Sequence, residues 1–258
     1  MDRQRELEQH LLREMARASH EFRLIEPGDR IAVAVSGGKD SHALLHLLHC
    51  LRRKAPFEFE IVALTLDQGQ PGFRAEELVS YFDARGYAYR LVSEDTYSLV
   101  KAKIPPGKSY CALCSRLRRG ILYHAALELG ATKLALGHHA DDAIETLLLN
   151  LFFAGQLKSM PPRLKSDDGR NVVIRPLIYC WERDLAEYAG MLEFPVVACG
   201  ACGTQPDLER PRIKALLEEL SRRNPHTRAH LLAALGNVRP THLMDRRLWQ
   251  KLGIHAVP

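Results

Sequence analysis

Residues 31–41 read Ile31-Ala32-Val33-Ala34-Val35-Ser36-Gly37-Gly38-Lys39-Asp40-Ser41, and an apolar-rich stretch follows through Leu51. Five consecutive apolar residues are of strand length, as expected for a strand buried on both faces. The stretch after Ser41 has helical character, so the polar hexapeptide joins a strand to a helix. Gly37 and Gly38 let the backbone turn so that successive N–H groups point inward, and the helix presents the positive end of its dipole. Ser36, Ser41 and Lys39 add donors, which makes the loop a cradle for an anion. The common nucleotide loop G-x-x-x-x-G-K-[ST] would need glycine at position 33, which is Val33, and G-x-G-x-x-G does not fit either.

The same alternation continues outward from this unit. Ile61 to Leu66 is a second buried strand ending at Asp67-Gln68-Gly69, Tyr87 to Val92 a third, Lys133 to Gly137 a fourth and Asn171 to Arg175 a fifth. Helical segments are read at Arg3–Leu24, Arg74–Arg85, Leu117–Leu129 (stopped by Gly130), Asp142–Phe153 and Arg183–Leu192. No hairpin signal is read between the strands, which predicts an α/β fold with a doubly wound parallel sheet and right-handed crossovers. Two stretches break the rhythm, Lys101–Cys114 with its Pro105-Pro106-Gly107, and Ser159–Arg170 with its Asp167-Asp168-Gly169. The expected organisation is one domain over residues 1–205, including the N-terminal helix, and a basic helical segment over 206–258.

Ligands of open α/β sheets bind at the carboxyl ends of the strands, where the strand order reverses. An order of 3-2-1-4-5 puts that crevice between the first and fourth strands. The loop after the fourth strand is Gly137-His138-His139-Ala140-Asp141-Asp142, so a histidine pair and an aspartate pair would face the phosphate loop. Asp141 or Asp142 would suit a Mg²⁺ that bridges carboxylate and phosphate, or would simply cap the next helix. Asp67 is a further candidate for the same site. The expected nucleotide-binding residues are therefore Ser36, Gly37, Gly38, Lys39, Asp40, Ser41, Asp67, Gly137 and Asp142, with Lys39, Asp40 and Asp141 closest to the chemistry.

The 258 residues are 46% hydrophobic and 26% charged, the composition of an ordinary soluble globular chain. The net charge of +5 is unevenly placed: residues 206–258 hold ten Lys or Arg against five Asp or Glu, and the rest is balanced. A concentrated basic face is the footprint of a phosphate-bearing partner such as RNA, or the solvated side of amphipathic helices. The chain starts on charged residues where a secretory signal would be apolar, and the most apolar segment, around Thr146–Gly155, falls far short of the ~20 residues that cross a bilayer. A cytoplasmic protein without membrane contact is expected.

Four of the six cysteines form two C-x-x-C pairs, Cys111 with Cys114 and Cys199 with Cys202. They are too few for a disulfide scaffold in a chain this long, which favours a reducing compartment and metal or sulfur chemistry. The pairs lie too far apart for a zinc ribbon, and zinc, an iron–sulfur cluster and a dithiol used for sulfur transfer all remain open at this point. Arg116 and Arg119 follow at i, i+3, able to hold phosphates, a cluster's charge or RNA, or to form a solvated face. Cys50 and Cys180 sit in apolar surroundings and are read as packed thiols.

As a string, S-G-G-K-D-S resembles the pyrophosphate loop of the N-type ATP pyrophosphatases, which split ATP between its α and β phosphates and place AMP on a substrate oxygen. Nearly the whole chain resembles the tRNA 2-thiocytidine synthetase (TtcA) family. The markers are that loop, C-A-L-C-S-R-L-R-R-G-I-L-Y at Cys111–Tyr123, G-H-H-A-D-D at Gly137–Asp142, M-P-P-R-L-K-S-D-D-G at Met160–Gly169, I-R-P-L at Ile174–Leu177 and C-G-T-Q at Cys202–Gln205. The resemblance implies ATP, Mg²⁺ and a 4Fe-4S cluster on Cys111, Cys114 and Cys202, with one iron left to bind sulfide; Cys199 is the rival of Cys202. It implies adenylation of the C2 oxygen of cytidine 32 in tRNA and displacement of AMP by cluster-bound sulfide. A cysteine desulfurase system as sulfur donor and a homodimer are implied by the family alone. The sequence departs from the family at Ala140, where arginine is usual, and at Thr204, where serine is commoner. The alternative is another tRNA-modifying or amidating pyrophosphatase of this superfamily, with a structural zinc site.

Overall fold

The computed structural model describes residues 2–104, 111–195 and 209–254, with Cys111 and Ala112 by their backbone alone. In chain order its elements are α1 (Asp2–Phe22), β1 (Arg30–Ala34), α2 (Lys39–Arg52), β2 (Glu60–Asp67), α3 (Ala75–Arg85), β3 (Tyr89–Ser93), α4 (Thr96–Lys103), α5 (Cys111–Glu128), β4 (Lys133–Ala135), α6 (Ala140–Leu149), β5 (Arg163–Lys165), β6 (Val172–Ile174), α7 (Glu182–Leu192), α8 (Glu209–Arg223), α9 (Thr227–Gly236) and α10 (Arg246–Lys251). The chain divides into two compact units, Met1–Ala143 with Met160–Leu208, and Ile144–Ser159 with Glu209–Pro258.

The first unit holds a six-stranded sheet in the order β3-β2-β1-β4-β6-β5. β1, β2, β3, β4 and β6 pair in parallel, so the expected order 3-2-1-4-5 is found with β6 as the fifth strand and the crevice lies between β1 and β4. β5 is a correction: it runs antiparallel to β6, with Leu164 opposite Val173, so a hairpin occupies the stretch 159–170 read as an interruption. Its turn holds Gly169 at φ 73°, and Asp168 accepts from Ser166 Oγ at 2.6 Å and from Arg170 N at 3.1 Å. The Asp-Gly pair is an ordinary hairpin signal.

Both faces of the sheet are covered, as continuous apolar strands require. On one face Ala32, Leu64 and Leu134 meet Leu122, Ala125 and Ala126 of α5. Side chains alternate along a strand, so Ile31, Val33 and Ala63 point the other way, and α2 packs on β1 and β2 with α1 and α7 against it. The apolar positions of α1 become a buried stripe, Leu7, Leu11, Leu12, Met15 and Ala18. Leu11 and Met15 are wholly buried, each contributing about 1.5–3 kcal/mol. At the amino end of the sheet, buried Lys133 of β4 pairs with Asp29 at 2.6 Å and Glu26 at 2.7 Å, fixing the Pro27-Gly28-Asp29 turn below the strands. Two elements differ from expectation: α4 is an added short helix, capped by Asp95 accepting from Ser98 N at 2.9 Å, and α5 begins at Cys111 rather than Leu117.

The second unit contains the end of α6, a π-helical turn at Asn150–Ala154, and α8 to α10. Glu145, almost completely buried, takes Arg210 at 2.9 Å and Lys214 at 3.7 Å, which ties α8 to the α6 segment. Arg222, Arg239, Arg246, Arg247 and Lys251 are exposed and make no ion pair among the described residues. Among those residues no helix is long and apolar enough to cross a membrane.

The histidines of α2 give the fold an acid limit. His42 stacks on Phe194 at 5.5 Å and His49 on Tyr87 at 4.0 Å, and burial pushes both down to about 4 from the ordinary 6.5. A histidine depressed on folding stabilises fully above pH 6.5 and loses that contribution as the pH falls towards 4. Thermal unfolding between pH 7 and 4 should therefore show a steep loss, shallower for His49→Phe, which keeps the ring stack without a titrating nitrogen. Identical slopes would mean that His49 is solvated in the folded protein.

Candidate functional site

The hexapeptide Ser36–Ser41 joins β1 to α2 at the carboxyl end of the sheet, and its Lys39, Asp40 and Ser41 already form the first turn of the helix. Gly37 adopts φ 80°, a region that favours glycine. Ser41 Oγ donates to the Gly38 carbonyl at 2.8 Å and accepts from Ser36 N at 3.2 Å, so the second hydroxyl closes the loop on itself. Gly38 is the N-cap of α2 and offers no side chain to its first-turn amides, leaving that helix end suited to an anion.

Gly137, just past β4, sits directly on this turn: a Cβ there would lie 3.1 Å from the Asp40 carbonyl carbon and from Ser41 N. A side chain at residue 137 would press on the backbone of the phosphate loop, which would have to give by a few tenths of an ångström. Lys39 Nζ lies 3.0 Å from Asp40 and 3.3 Å from Glu182. Burial works to lower the Lys39 ammonium, but the two carboxylates outweigh it and hold its pKa above the ordinary value. Asp40 Oδ1 is buried and has no hydrogen-bond partner among the described residues.

The aspartate pair is tied into helix starts. Asp142 Oδ2 accepts from His139 N at 3.1 Å while His139 Nδ1 accepts from Asp142 N at 3.4 Å, a reciprocal cap on α6. His139 Nε2 is then left within 3.5 Å of Asp142 and 4.0 Å of Asp40. Asp141 Oδ2 accepts from Glu182 N at 2.7 Å and so caps α7. The N-termini of α2, α6 and α7 are linked through Lys39, Glu182 and Asp141; Asp142 caps the next helix, as the sequence left open, whereas Asp141 caps the distant α7 instead. Ala140 is wholly buried. Asp67 ends β2 and accepts from Gly69 N at 2.9 Å.

Four residues that sequence reasoning did not single out belong here. Glu182 partners Lys39. Arg175, at the end of β6, is buried; it donates to His138 Nδ1 at 3.2 Å and to the Pro161 carbonyl at 2.6 Å. Desolvation lowers its pKa, opposed in part by Tyr123 and Asp142. A buried guanidinium held by neutral acceptors is a strong anion receptor, and its signal was the arginine at the end of an apolar strand.

Gln68 and Arg118 meet at Cys114. Arg118 Nε donates to Gln68 Oε1 at 3.0 Å, which turns the buried amide so that Nε2 faces the sulfur. Gln68 Nε2 and an Arg118 amino group both lie 3.7 Å from Cys114 Sγ. Arg118 stands one helical turn after Cys114, whereas Arg116 and Arg119 are exposed. The Cys111 side chain, Cys199 and Cys202 lie outside the described residues. Cys50 and Cys180 are buried, as expected.

Residues 7–220 match the family described as the PP-loop domain. A tRNA-cytidine(32) 2-sulfurtransferase of Sorangium cellulosum is 57% identical over 251 residues, covering 97% of this chain and 89% of that protein. The protein of the same name from Tolumonas auensis is 54% identical over 250 residues, 97% of this chain and 83% of the other. In fold, the U34-tRNA thiolase NcsA from Methanococcus maripaludis, solved with its 4Fe-4S cluster, superposes with a TM-score of 0.71 at 21% identity, over 93% of this chain and 83% of that one.

The contact at Gly137 sets a measurable condition on the phosphate loop. Gly137→Ala should weaken MgATP binding about tenfold, ~1.4 kcal/mol, without lowering the unfolding temperature, as read by calorimetric titration and thermal unfolding. Unchanged affinity would show that the loop after β4 can retreat at no cost to the nucleotide site.

Proposed function

The chain belongs to the tRNA-cytidine(32) 2-sulfurtransferases of the PP-loop family, and from that membership we propose that it exchanges the C2 oxygen of cytidine 32 in tRNA for sulfur at the expense of ATP. The observation that carries the reading is the placement of Cys114, with two N–H donors on its sulfur, beside the end of β2, the strand next to the one bearing the intact phosphate loop.

An amide-like carbonyl oxygen is a poor leaving group until it is esterified. Ser36–Ser41 and the first turn of α2 would receive the departing pyrophosphate, with Lys39 and Arg175 as cationic partners. Asp40, whose buried Oδ1 is unpartnered among the described residues, and Asp141 or Asp142 fit a Mg²⁺, since magnesium takes one or two carboxylates together with phosphate oxygens. Asp67 borders the same edge of the sheet. His139 Nε2 can hold a proton between Asp40 and Asp142.

The described part of the cysteine site fits an iron–sulfur cluster. Donors aimed at a sulfur suit a thiolate ligand, and a guanidinium beside it offsets cluster charge. Cys111, Cys114 and Cys202 are the proposed ligands of a 4Fe-4S cluster, which when bound supplies the sulfide that replaces oxygen. Gln68 and Arg118 hold Cys114 and stabilise its negative charge. The exposed cations Arg222, Arg239, Arg246, Arg247 and Lys251 would grip the tRNA backbone, and a base in an anticodon loop can enter a pocket without melting a duplex. A cysteine desulfurase system as sulfur donor, a homodimeric enzyme and a cytoplasmic location complete the reading.

Anaerobic purification with iron, sulfide and zinc analysis, together with nucleoside mass spectrometry of tRNA from a strain lacking the gene, tests it. Iron and sulfide near four each per chain and restored 2-thiocytidine are expected; a colourless protein whose cysteines carry zinc would overturn the cluster. Cys202→Ala should abolish both iron and thiolation, and loss on Cys199→Ala instead would move the third ligand. Gln68→Leu should retain the cluster but lower its reduction potential, because N–H donors to the sulfur stabilise the more negative reduced state. An unchanged potential would confine Gln68 to packing.

A further inference from the structure

Beyond that site, α2 carries the pattern His42-x-x-x-His46-x-x-x-Cys50, and its second half points at α1. His46 and Cys50 stand at i, i+4 and therefore on one helix face. Cys50 Sγ is 3.5 Å from His46 Nε2, which lies 4.0 Å from Glu8 Oε2 of α1. Donor atoms of Glu8, His46 and Cys50 all fall within 4.8 Å of one another. Tetrahedral ligands at Zn–S ~2.3 Å and Zn–N or Zn–O ~2.0–2.1 Å stand roughly 3.3–3.6 Å apart, so small side-chain shifts close the set around one ion.

Each donor is held from behind. Tyr87 Oη lies 3.4 Å from His46 Nδ1, and with the proton on Nδ1 the Nε2 lone pair faces Glu8 and Cys50. Tyr188 Oη donates to Glu8 Oε2 at 2.9 Å. An Arg53 amino group donates to Cys50 Sγ at 3.2 Å, as outer donors to ligating thiolates do. Cys50 is buried as a packed thiol would be, yet its sulfur meets an imidazole and a guanidinium.

We propose that Glu8, His46 and Cys50 form a zinc site that clamps α1 to α2. Thiolate, imidazole and carboxylate together select zinc over calcium or magnesium. The carboxylate and the thiolate balance the two charges of the ion, the Cys50 thiol releases its proton to solvent on binding, and a water completes the fourth position. His46 and Cys50 stand roughly 8 and 14 Å along α2 from Ser41, at about 1.5 Å per residue, and the site shares no residue with the proposed nucleotide and cluster sites.

The test uses the full chain carrying its iron, incubated with zinc chloride, desalted, and examined by elemental analysis and zinc-edge X-ray absorption. Expected are about one zinc per chain with a single sulfur neighbour among nitrogen and oxygen ligands, and an unfolding temperature raised by zinc. His46→Gln and Glu8→Gln should each lose the zinc and the temperature rise while keeping iron content and thiolation. Failure of the wild type to retain zinc overturns the proposal. So does zinc that survives in both variants or shows only sulfur neighbours, because it would then belong to the other cysteines.

Discussion

The approach of Gly137 to the peptide between Asp40 and Ser41 is the constraint on which the site depends. β1 and β4 are neighbours, so the chains leaving their carboxyl ends must diverge or collide. One turns into α2 and the other, lacking a side chain at the point of contact, runs across it to α6. The crevice is therefore narrow and its walls are the starts of two helices. That arrangement concentrates backbone N–H groups and dipole ends where an anion can lie without burying an unpaired carbonyl.

The charges around this crevice bear on what a polyphosphate would meet there. Lys39 is already shared by Asp40 and Glu182, while Asp141 and Asp142 stand at the next two helix starts. Four carboxylates against Lys39 and Arg175 leave an acidic surround. A bare polyphosphate would meet repulsion there, and the Mg²⁺ proposed above would turn the same carboxylates into attraction. The caps also couple the group: moving Asp141 would release the start of α7, and α7 carries Glu182, which holds Lys39.

The fold was largely legible because its strands are short apolar runs separated by longer amphipathic stretches, a contrast that sequence expresses locally. The phosphate loop was legible for the same reason. β5 was not, since Arg163-Leu164-Lys165 is exposed and too short to show alternation, although Asp168-Gly169 marked its turn. Glu182, Arg175, Gln68 and Arg118 escaped because their roles are set by partners 37 to 143 residues away, or by which face of α5 meets β2. Arg116 and Arg119 looked equivalent to Arg118 by composition, and only the helix register separates them. The two capping aspartates show the converse: residue type and position allowed both a metal and a cap, and hydrogen-bond geometry is needed to see the cap.

The described cysteines are sorted by what faces each sulfur. Cys180 has the backbone carbonyl of Leu11 at 3.9 Å, so its thiol donates, and burial drives its pKa far up. Such a sulfur stays protonated and inert. Cys114 has the opposite surroundings, with a guanidinium and an amide N–H both directed at its sulfur, which is placed to accept rather than to donate. Cys50 combines burial with an imidazole and a guanidinium, so its sulfur can serve either as thiol or, once its proton is displaced by a metal, as ligand. Spacing along the chain could group Cys114 with Cys111, but the choice between packing and chemistry is made by the donors that the fold turns towards the sulfur.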